Sequence, residues 1–384
     1  MQTHAPGGRN PDVVIVGGGI IGVTTACFAA EAGLSVVLLE RDGLAAAASG
    51  RNQGLVIGPH PIEMAAIAAR GVEHYLDLHE SSGKAFCFDR APHGCLLVGG
   101  DTVTDETPSE VLEGAALRAV EPLLGPSIGS ATLLQDARRI DPGAAVASWA
   151  VRARQAGVDV RTGVDVKELL QHGDRVTGVS TDDGVISAGT VVVAAGPWSW
   201  RVCRSTTFDV PVNGVRGWIV MTRPAPFRLR HAVEESFWGA VKKGLAVPTV
   251  QDLAEGTRPA PLLAGLLQQD HRGRLLLGAS LQISPTDHPE QQEVLAAVCE
   301  RAATLVPAVR SLQIVEIRTC RRPMSSDGLP LHGPVPGVEG LVLACGHGSQ
   351  GITWGPGSGE AVAHGLSTGA WLPELLPSRF SAEV

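Results

Sequence analysis

The sequence predicts an α/β plus α+β fold: a Rossmann-like domain with a parallel sheet and an antiparallel meander, interleaved with a second domain built on a mixed or antiparallel sheet. Three observations carry this. Residues 13–40 make a strand, turn, helix, strand unit around a glycine fingerprint, residues 157–180 alternate between turn residues, and residues 205–319 hold several strands and a crossover helix. At 384 residues the chain is long for one core, so about two domains are expected.

The first unit organises the rest. Val13-Val-Ile-Val16 reads as a strand, Gly17 to Gly22 spell Gly-Gly-Gly-Ile-Ile-Gly, and Val36-Val-Leu-Leu39 ends on Glu40. Gly17 permits the tight turn, Gly19 lets backbone N–H groups approach a pyrophosphate, and Gly22 lets the helix opened by Ile20 and Ile21 pack closely on the first strand. The helix N-terminus then faces the phosphates with its positive dipole end. Glu40, eighteen positions after Gly22, sits where a carboxylate accepts hydrogen bonds from both hydroxyls of an adenosine ribose, which argues against a 2′-phosphate. An adenine dinucleotide is the expected ligand.

Ser49-Gly50-Arg51-Asn52-Gln53-Gly54 follows as a polar, glycine-flanked loop of the kind that brings backbone close to a ligand, or else a solvated connection. Residues 61–80 carry apolar positions at helical spacing behind a first-turn proline, with Tyr75, the only tyrosine, facing the core. Gly94 to Val98 reads as a strand and a short helix is expected near 109–119. A helix returns between Asp136 and Gly157, and the strands from Gly157, from Val164 to Leu170 and from Val176 to Ser180 read as an antiparallel meander. Val191 to Gly196 is a buried strand whose small terminal residues, Ala195 and Gly196 before Pro197-Trp198, allow close approach to a cofactor. Strands at 212–222, 262–268, 274–282 and 312–318, with a helix at 289–305 after Pro289, complete the second domain. Trp218, Phe237 and Trp238 are either its pocket lining or its core. The expected division is 11–80, 137–204 and 320–370 for the nucleotide domain, and 81–136 and 205–319 for the substrate domain.

Composition excludes other classes. A formal charge of −8 without Lys/Arg clusters offers no footprint for nucleic acid or anionic membrane. Seven scattered cysteines, with no C-x-x-C pair, imply a reducing compartment and no zinc or iron–sulfur site. No segment reads as a signal peptide or a transmembrane span, so a cytoplasmic protein is expected, with residues 1–10 a disordered lead-in.

Arg318 to Gly333 (RTCRRPMSSDGLPLHG) and Cys345 to Val362 (CGHGSQGITWGPGSGEAV) join GGGIIG, SGRNQG, DARRIDP at 136–142 and VVVAAGPWS at 191–199 in one order. Together they resemble the FAD-dependent D-amino-acid oxidase superfamily, which contains glycine oxidase and sarcosine oxidase. Within it, SGRNQG and GHGSQGITWGP are most similar to the flavin subunits of dye-linked dehydrogenases acting on D-hydroxyproline, proline, opines or glycine, the last being hydrogen cyanide synthase. The resemblance implies noncovalent FAD, since Cys345 does not match the pattern for covalent attachment. It also implies oxidation of the C–N bond of an amino or imino acid by hydride transfer to flavin N5. In such enzymes the flavin chain is commonly one subunit of a hetero-oligomer whose partner carries a ferredoxin-like iron–sulfur cluster. A stand-alone oxidase using oxygen and a non-catalytic flavin subunit are the alternatives.

The same resemblance assigns roles. Arg322 matches the arginine that holds the substrate carboxylate, a task suited to a planar guanidinium, or else it pairs with Asp327. Gly348, Gln350, Gly351 and Ile352 match the turn that points backbone N–H groups and a helix N-terminus, with the helix expected from about Pro356, at the ring edge that becomes anionic on reduction. His347 is either a flavin neighbour or a turn residue, and His60 is near enough in sequence to the 49–54 loop to reach the pocket. Val166 matches the adenine-contacting valine, Ser49, Arg51, Asn52, Gln53 and Gly54 match the loop beside the pyrophosphate and isoalloxazine, and Ala195, Gly196 and Trp198 fall in the matching VVVAAGPWS segment. Arg41 extends the ribose side or is simply solvated. Arg318, Cys320 and Trp218 depart from the family pattern.

Overall fold

The computed structural model describes residues 10–99, 109–235, 262–283 and 292–381. Phe237, Trp238 and the expected helix start at Pro289 lie outside them.

A six-stranded sheet runs in the order β18 (Leu331–Pro334), β19 (Leu341–Cys345), β12 (Thr190–Val193), β1 (Val13–Val16), β2 (Val36–Glu40), β8 (Asp159–Thr162). All its neighbours are parallel except β18 and β19. Its strands are apolar on both faces because both faces are covered. Val13 and Ile15 join Leu38 and Val192 under the helices Ile20–Glu31 and Pro142–Gln155, while Val14 and Val16 join Val37, Leu39 and Val191 under the meander. That meander is β11 (Gly184–Ser187), β10 (Arg175–Thr181), β9 (Val166–His172), all antiparallel. The strand after Gly157, expected in the meander, is β8 and pairs in parallel with β2 instead. The helix Pro142–Gln155, directly before β8, supplies the crossover that a parallel pairing requires.

Local chemistry explains the helix starts. Asp141 caps Pro142–Gln155 by accepting from the Ala144 amide, with Pro142 in the first turn, where a missing N–H costs nothing. Gly17 holds φ +119°, and a Cβ there would collide with the Ala194 carbonyl; one at Gly22 would collide with the Gly17 carbonyl. The C-terminal helix begins at Gly351, a turn earlier than Pro356. Its Gly355 and Gly359 seat against Ile20 and Thr24 of the first helix, and Gly357 seats against Ile67 in the helix Ile62–Ser81. Three helices therefore meet at backbone distance behind the nucleotide fingerprint.

The second sheet has eight strands, β17 (Ile314–Ser325), β13 (Val212–Pro224), β16 (Arg274–Ile283), β15 (Leu262–Gln269), β14 (Ala232–Glu235), β4 (Cys95–Val98), β6 (Ser130–Leu134), β5 (Ser109–Glu113). It is antiparallel apart from the parallel β14–β4 pair. The short helix expected near 109–119 is half strand: β5 takes 109–113 and the helix starts at Gly114. Side chains alternate between two surroundings. Val220, Leu267 and Val233 enter a core with the helix Gln292–Leu305, whereas their neighbours Ile219, Leu266 and Glu234 face a cavity shared with the nucleotide domain. A two-stranded ribbon, β3 (Leu55–Val56) with β7 (Arg138–Arg139), completes the strands among the described residues. Among the described residues no helix is long and apolar enough to cross a membrane.

Candidate active site

One long cavity runs from the first βαβ unit to the eight-stranded sheet. At its nucleotide end Gly17, Gly19, Ile20, Ile21 and Glu40 line the wall. Glu40 is held by two backbone amides, Gly18 N–H to Oε2 at 2.6 Å and Asp42 N–H to Oε1 at 2.8 Å. Each oxygen keeps a second lone pair, so the carboxylate is oriented rather than used up. Arg41, expected on the ribose side or in solvent, lies with its guanidinium 4.9 Å over the Trp198 ring, and both residues line the cavity. Val166, at the start of β9, together with Ala195 and Gly196 beyond β12, lines the same stretch.

The 49–54 segment is not all loop: Ala48–Arg51 forms one helical turn. Ser49 Oγ accepts from the Ile20 amide at 3.0 Å, taking one of the donors that the first helix cannot satisfy internally. Asn52 donates to the Ala48 and Ser49 carbonyls and accepts from the Gly54 amide, which ties the segment to itself. Gln53 reaches across to the second sheet, donating to the Leu266 and Leu276 carbonyls at 3.0 and 3.3 Å. Ser49, Asn52 and Gln53 line the cavity; Arg51 and Gly54 do not. Arg51 is exposed with Nη1 toward the Thr319 carbonyl, and Gly54 packs where a Cβ would strike the Ile140 carbonyl. Gly22 is likewise behind the wall, a packing residue. His60 is not among the lining residues: its Nδ1 accepts from Trp354 Nε1 at 3.3 Å, and burial lowers its pKa to about 4.

On the second sheet Cys320 and Arg322, two apart on β17, share the cavity face. Arg322 Nη1 donates to the Ser280 carbonyl at 3.0 Å. Its guanidinium lies so close over Gly217 that a Cβ there would collide with it. Desolvation lowers its pKa from the ordinary value. The alternative partner, Asp327, is bound to Arg379 at 2.6 Å and sits in a turn. Trp218, weighed as pocket lining, points to the opposite face and is 3% exposed, its Nε1 donating to Gln282 Oε1 at 2.6 Å.

The C-terminal turn closes the cavity. His347, Gly348, Gln350, Gly351 and Ile352 all line it. Gln350 is the N-cap of the helix Gly351–Thr368, so the first amides of that helix open toward the cavity. His347 is buried, and its Nε2 lies 2.9 Å from His332 Nε2. Burial pushes the His347 pKa well below its usual value and His332 to about 3, with Arg379 adding to the second.

Sequence reasoning missed Glu234, Gly217, Ile219, Leu266, Ala279 and Ser349, all cavity-lining. Only the β13 pair had a signal, the period-2 alternation around Trp218. Ser349 Oγ is buried without a partner among the described residues and lines the cavity. That orphaned hydroxyl, the Gly17–Gly22 cradle and the oriented Glu40 lie along one cavity and fit an adenine dinucleotide.

The chain is 28% identical to the glycine oxidase of Pseudomonas putida, over 97% of this chain and 98% of that protein. It is 25% identical to the hydrogen cyanide synthase subunit HcnC of Pseudomonas aeruginosa, over 98% and 97%. The structure superposes on the L-proline dehydrogenase of P. horikoshii with a TM-score of 0.80 at 22% identity, covering 97% of this chain and 98% of that one. The family model described as FAD dependent oxidoreductase matches residues 12–364, and the chain belongs to that family of FAD-dependent enzymes.

Proposed function

We propose that this chain oxidises the C–N bond of a small amino or imino acid, of the D-amino-acid, proline or hydroxyproline, opine or glycine class, with noncovalently held FAD. The observation that carries the reading is Arg322: a guanidinium set over Gly217 and tethered to the Ser280 carbonyl, on the cavity wall. A fixed fork of N–H donors binds a carboxylate through two bonds and so orients the adjoining carbon.

The Gly17–Gly22 turn and Glu40 would hold the adenosine and pyrophosphate, while Ser49, Gln53 and the 346–352 turn would border the ring. Bound FAD supplies the electron acceptor for removal of two electrons and the hydrogen on the carbon beside nitrogen. The protein's part is to place the substrate and to favour negative charge at the ring, which the first amides of the Gly351–Thr368 helix are suited to do. A substrate amine that arrives neutral leaves no proton for a general base to remove.

The likeness to HcnC, named as a subunit, supports a role as the flavin-bearing member of a hetero-oligomeric dehydrogenase that passes electrons to a partner chain. The likeness to glycine oxidase supports a second reading, direct transfer to oxygen. Anaerobic titration of the FAD-loaded chain with glycine, D-amino acids, prolines, N-methyl amino acids and opines, followed by absorbance, tests the substrate class. Bleaching by none of them, alone or with co-purified partners, defeats the proposal. Admitting air then separates the two acceptors: rapid reoxidation of the isolated chain selects the oxidase.

A further inference from the structure

His347 lines the cavity and His332 does not, yet the two imidazoles face each other through their Nε2 atoms at 2.9 Å. Both rings are buried, at 1% and 2% exposure. His332 stands on β18 opposite Ala344, and His347 lies two residues past the end of β19, so the pair is built into the antiparallel edge of the parallel sheet. A nitrogen–nitrogen hydrogen bond of this length needs one proton between the two atoms. Two protons would meet head-on, and none would set two lone pairs against each other.

Which ring carries that proton follows from the outer nitrogen of His332. His332 Nδ1 is buried and has no hydrogen-bond partner among the described residues. A neutral imidazole has one N–H and one bare nitrogen. Orphaned buried N–H donors are rarer than under-satisfied acceptors, so the bare nitrogen belongs at Nδ1 and the proton at Nε2. His332 Nε2–H therefore donates to His347 Nε2. That nitrogen being an acceptor, the proton of neutral His347 must sit on its Nδ1. The charged side chain that acts on His332, Arg379, carries only donors, and these are held by Asp327 and the Leu329 carbonyl, so it offers no acceptor to an N–H at His332 Nδ1.

We propose that His332 is a positioning residue that locks His347 in its Nδ1–H form, so that the C-terminal turn presents a fixed, uncharged N–H donor to the cavity. This rests on the reading above that the FAD ring lies at this end. A preorganised donor there favours the more electron-rich reduced ring at no cost of reorientation. Neither nitrogen assignment depends on FAD being bound.

The test has two arms. In the FAD-free chain labelled with 15N-histidine, long-range proton–nitrogen spectra distinguish bare from protonated ring nitrogens, with His347 assigned by its loss in His347→Asn. The expected pattern is Nδ1 protonated and Nε2 bare, unchanged between about pH 6 and 8; protonation at Nε2 overturns the proposal. In the FAD-loaded protein, His332→Leu should lower the reduced-to-oxidised ratio at fixed potential about tenfold, about 30 mV for a two-electron couple. His332→Gln, whose amide N–H can still donate to His347 Nε2, should restore it. An unchanged potential in folded, loaded His332→Leu overturns the proposal, and if that variant does not fold, the spectra of the unaltered chain decide. Failure of every amino acid to bleach the flavin with the His347 pattern intact would count against the proposed substrate class alone.

Discussion

The Tyr75 hydroxyl donates a 2.8 Å hydrogen bond to the carbonyl of Ile352, in the first turn of the helix whose N-terminus opens on the cavity. That carbonyl would ordinarily accept from the amide four residues on, but residue 356 is proline and has no N–H. The only tyrosine in the chain thus takes the place of the missing backbone donor.

Removing the hydroxyl leaves a buried carbonyl without a partner. Tyr75→Phe should cost about 1 to 2 kcal/mol of stability and weaken FAD binding in the same direction, because this helix fixes the turn proposed to border the ring. Denaturant unfolding with and without FAD measures both. An unchanged midpoint would mean water or a shifted backbone satisfies the carbonyl.

Glu40 should matter for affinity more than for turnover. Its two oxygens brace Gly18 and Asp42, so Glu40→Gln replaces one acceptor with an N–H that opposes a backbone N–H. The expected loss is about 1.5 to 3 kcal/mol in FAD affinity, read by titrating FAD into the apo-protein and following its fluorescence.

At the other end of the cavity the effect should reverse. Arg322→Leu should leave FAD bound with an ordinary spectrum while lowering kcat/KM for carboxylated substrates by about 2 to 5 kcal/mol. Gly217→Ala should act in the same direction without touching the charge, since its methyl collides with the guanidinium. Unaltered steady-state constants for both variants would remove Arg322 from substrate binding.

Stability should fall as the medium becomes acidic. His60 and His93 are each drawn down to about 4, and His332 to about 3, with burial as the main cause. For a histidine whose folded pKa lies below its unfolded value near 6.5, the unfolded chain binds the extra proton first. Stability is therefore full above about pH 6.5 and declines as pH drops from there toward the folded values. Melting temperatures between pH 7.5 and 5 should show this slope, and His60→Asn or His93→Asn should flatten it.

Much of the nucleotide half was legible because its signals are local. A run such as Val13–Val16, a Gly17 that must take positive φ, and a Glu40 at the next strand end are set by neighbours within one βαβ unit. The strand after Gly157 was harder, since four apolar-polar residues pair equally well in a meander or a parallel sheet; the helix before it selects the parallel edge. Residues 49–54 read as one ligand-facing loop, yet a single helical turn sends Ser49, Asn52 and Gln53 to the cavity and Arg51 and Gly54 away from it.

The class of cofactor, an adenine dinucleotide, was legible in the sequence, because the glycines and the acid that signal it take a backbone geometry set over a few residues. The sequence also singled out Arg322 and the turn after Cys345. What surrounds them was set by long-range packing. It paired Asp327 with Arg379 and so rejected that partner for Arg322, turned Trp218 into the core, and brought Glu234 to the cavity wall. It also set His332 against His347 across two strands. These outcomes depend on pairing register and on which face of a sheet is covered, and both are fixed by contacts between segments far apart in the chain.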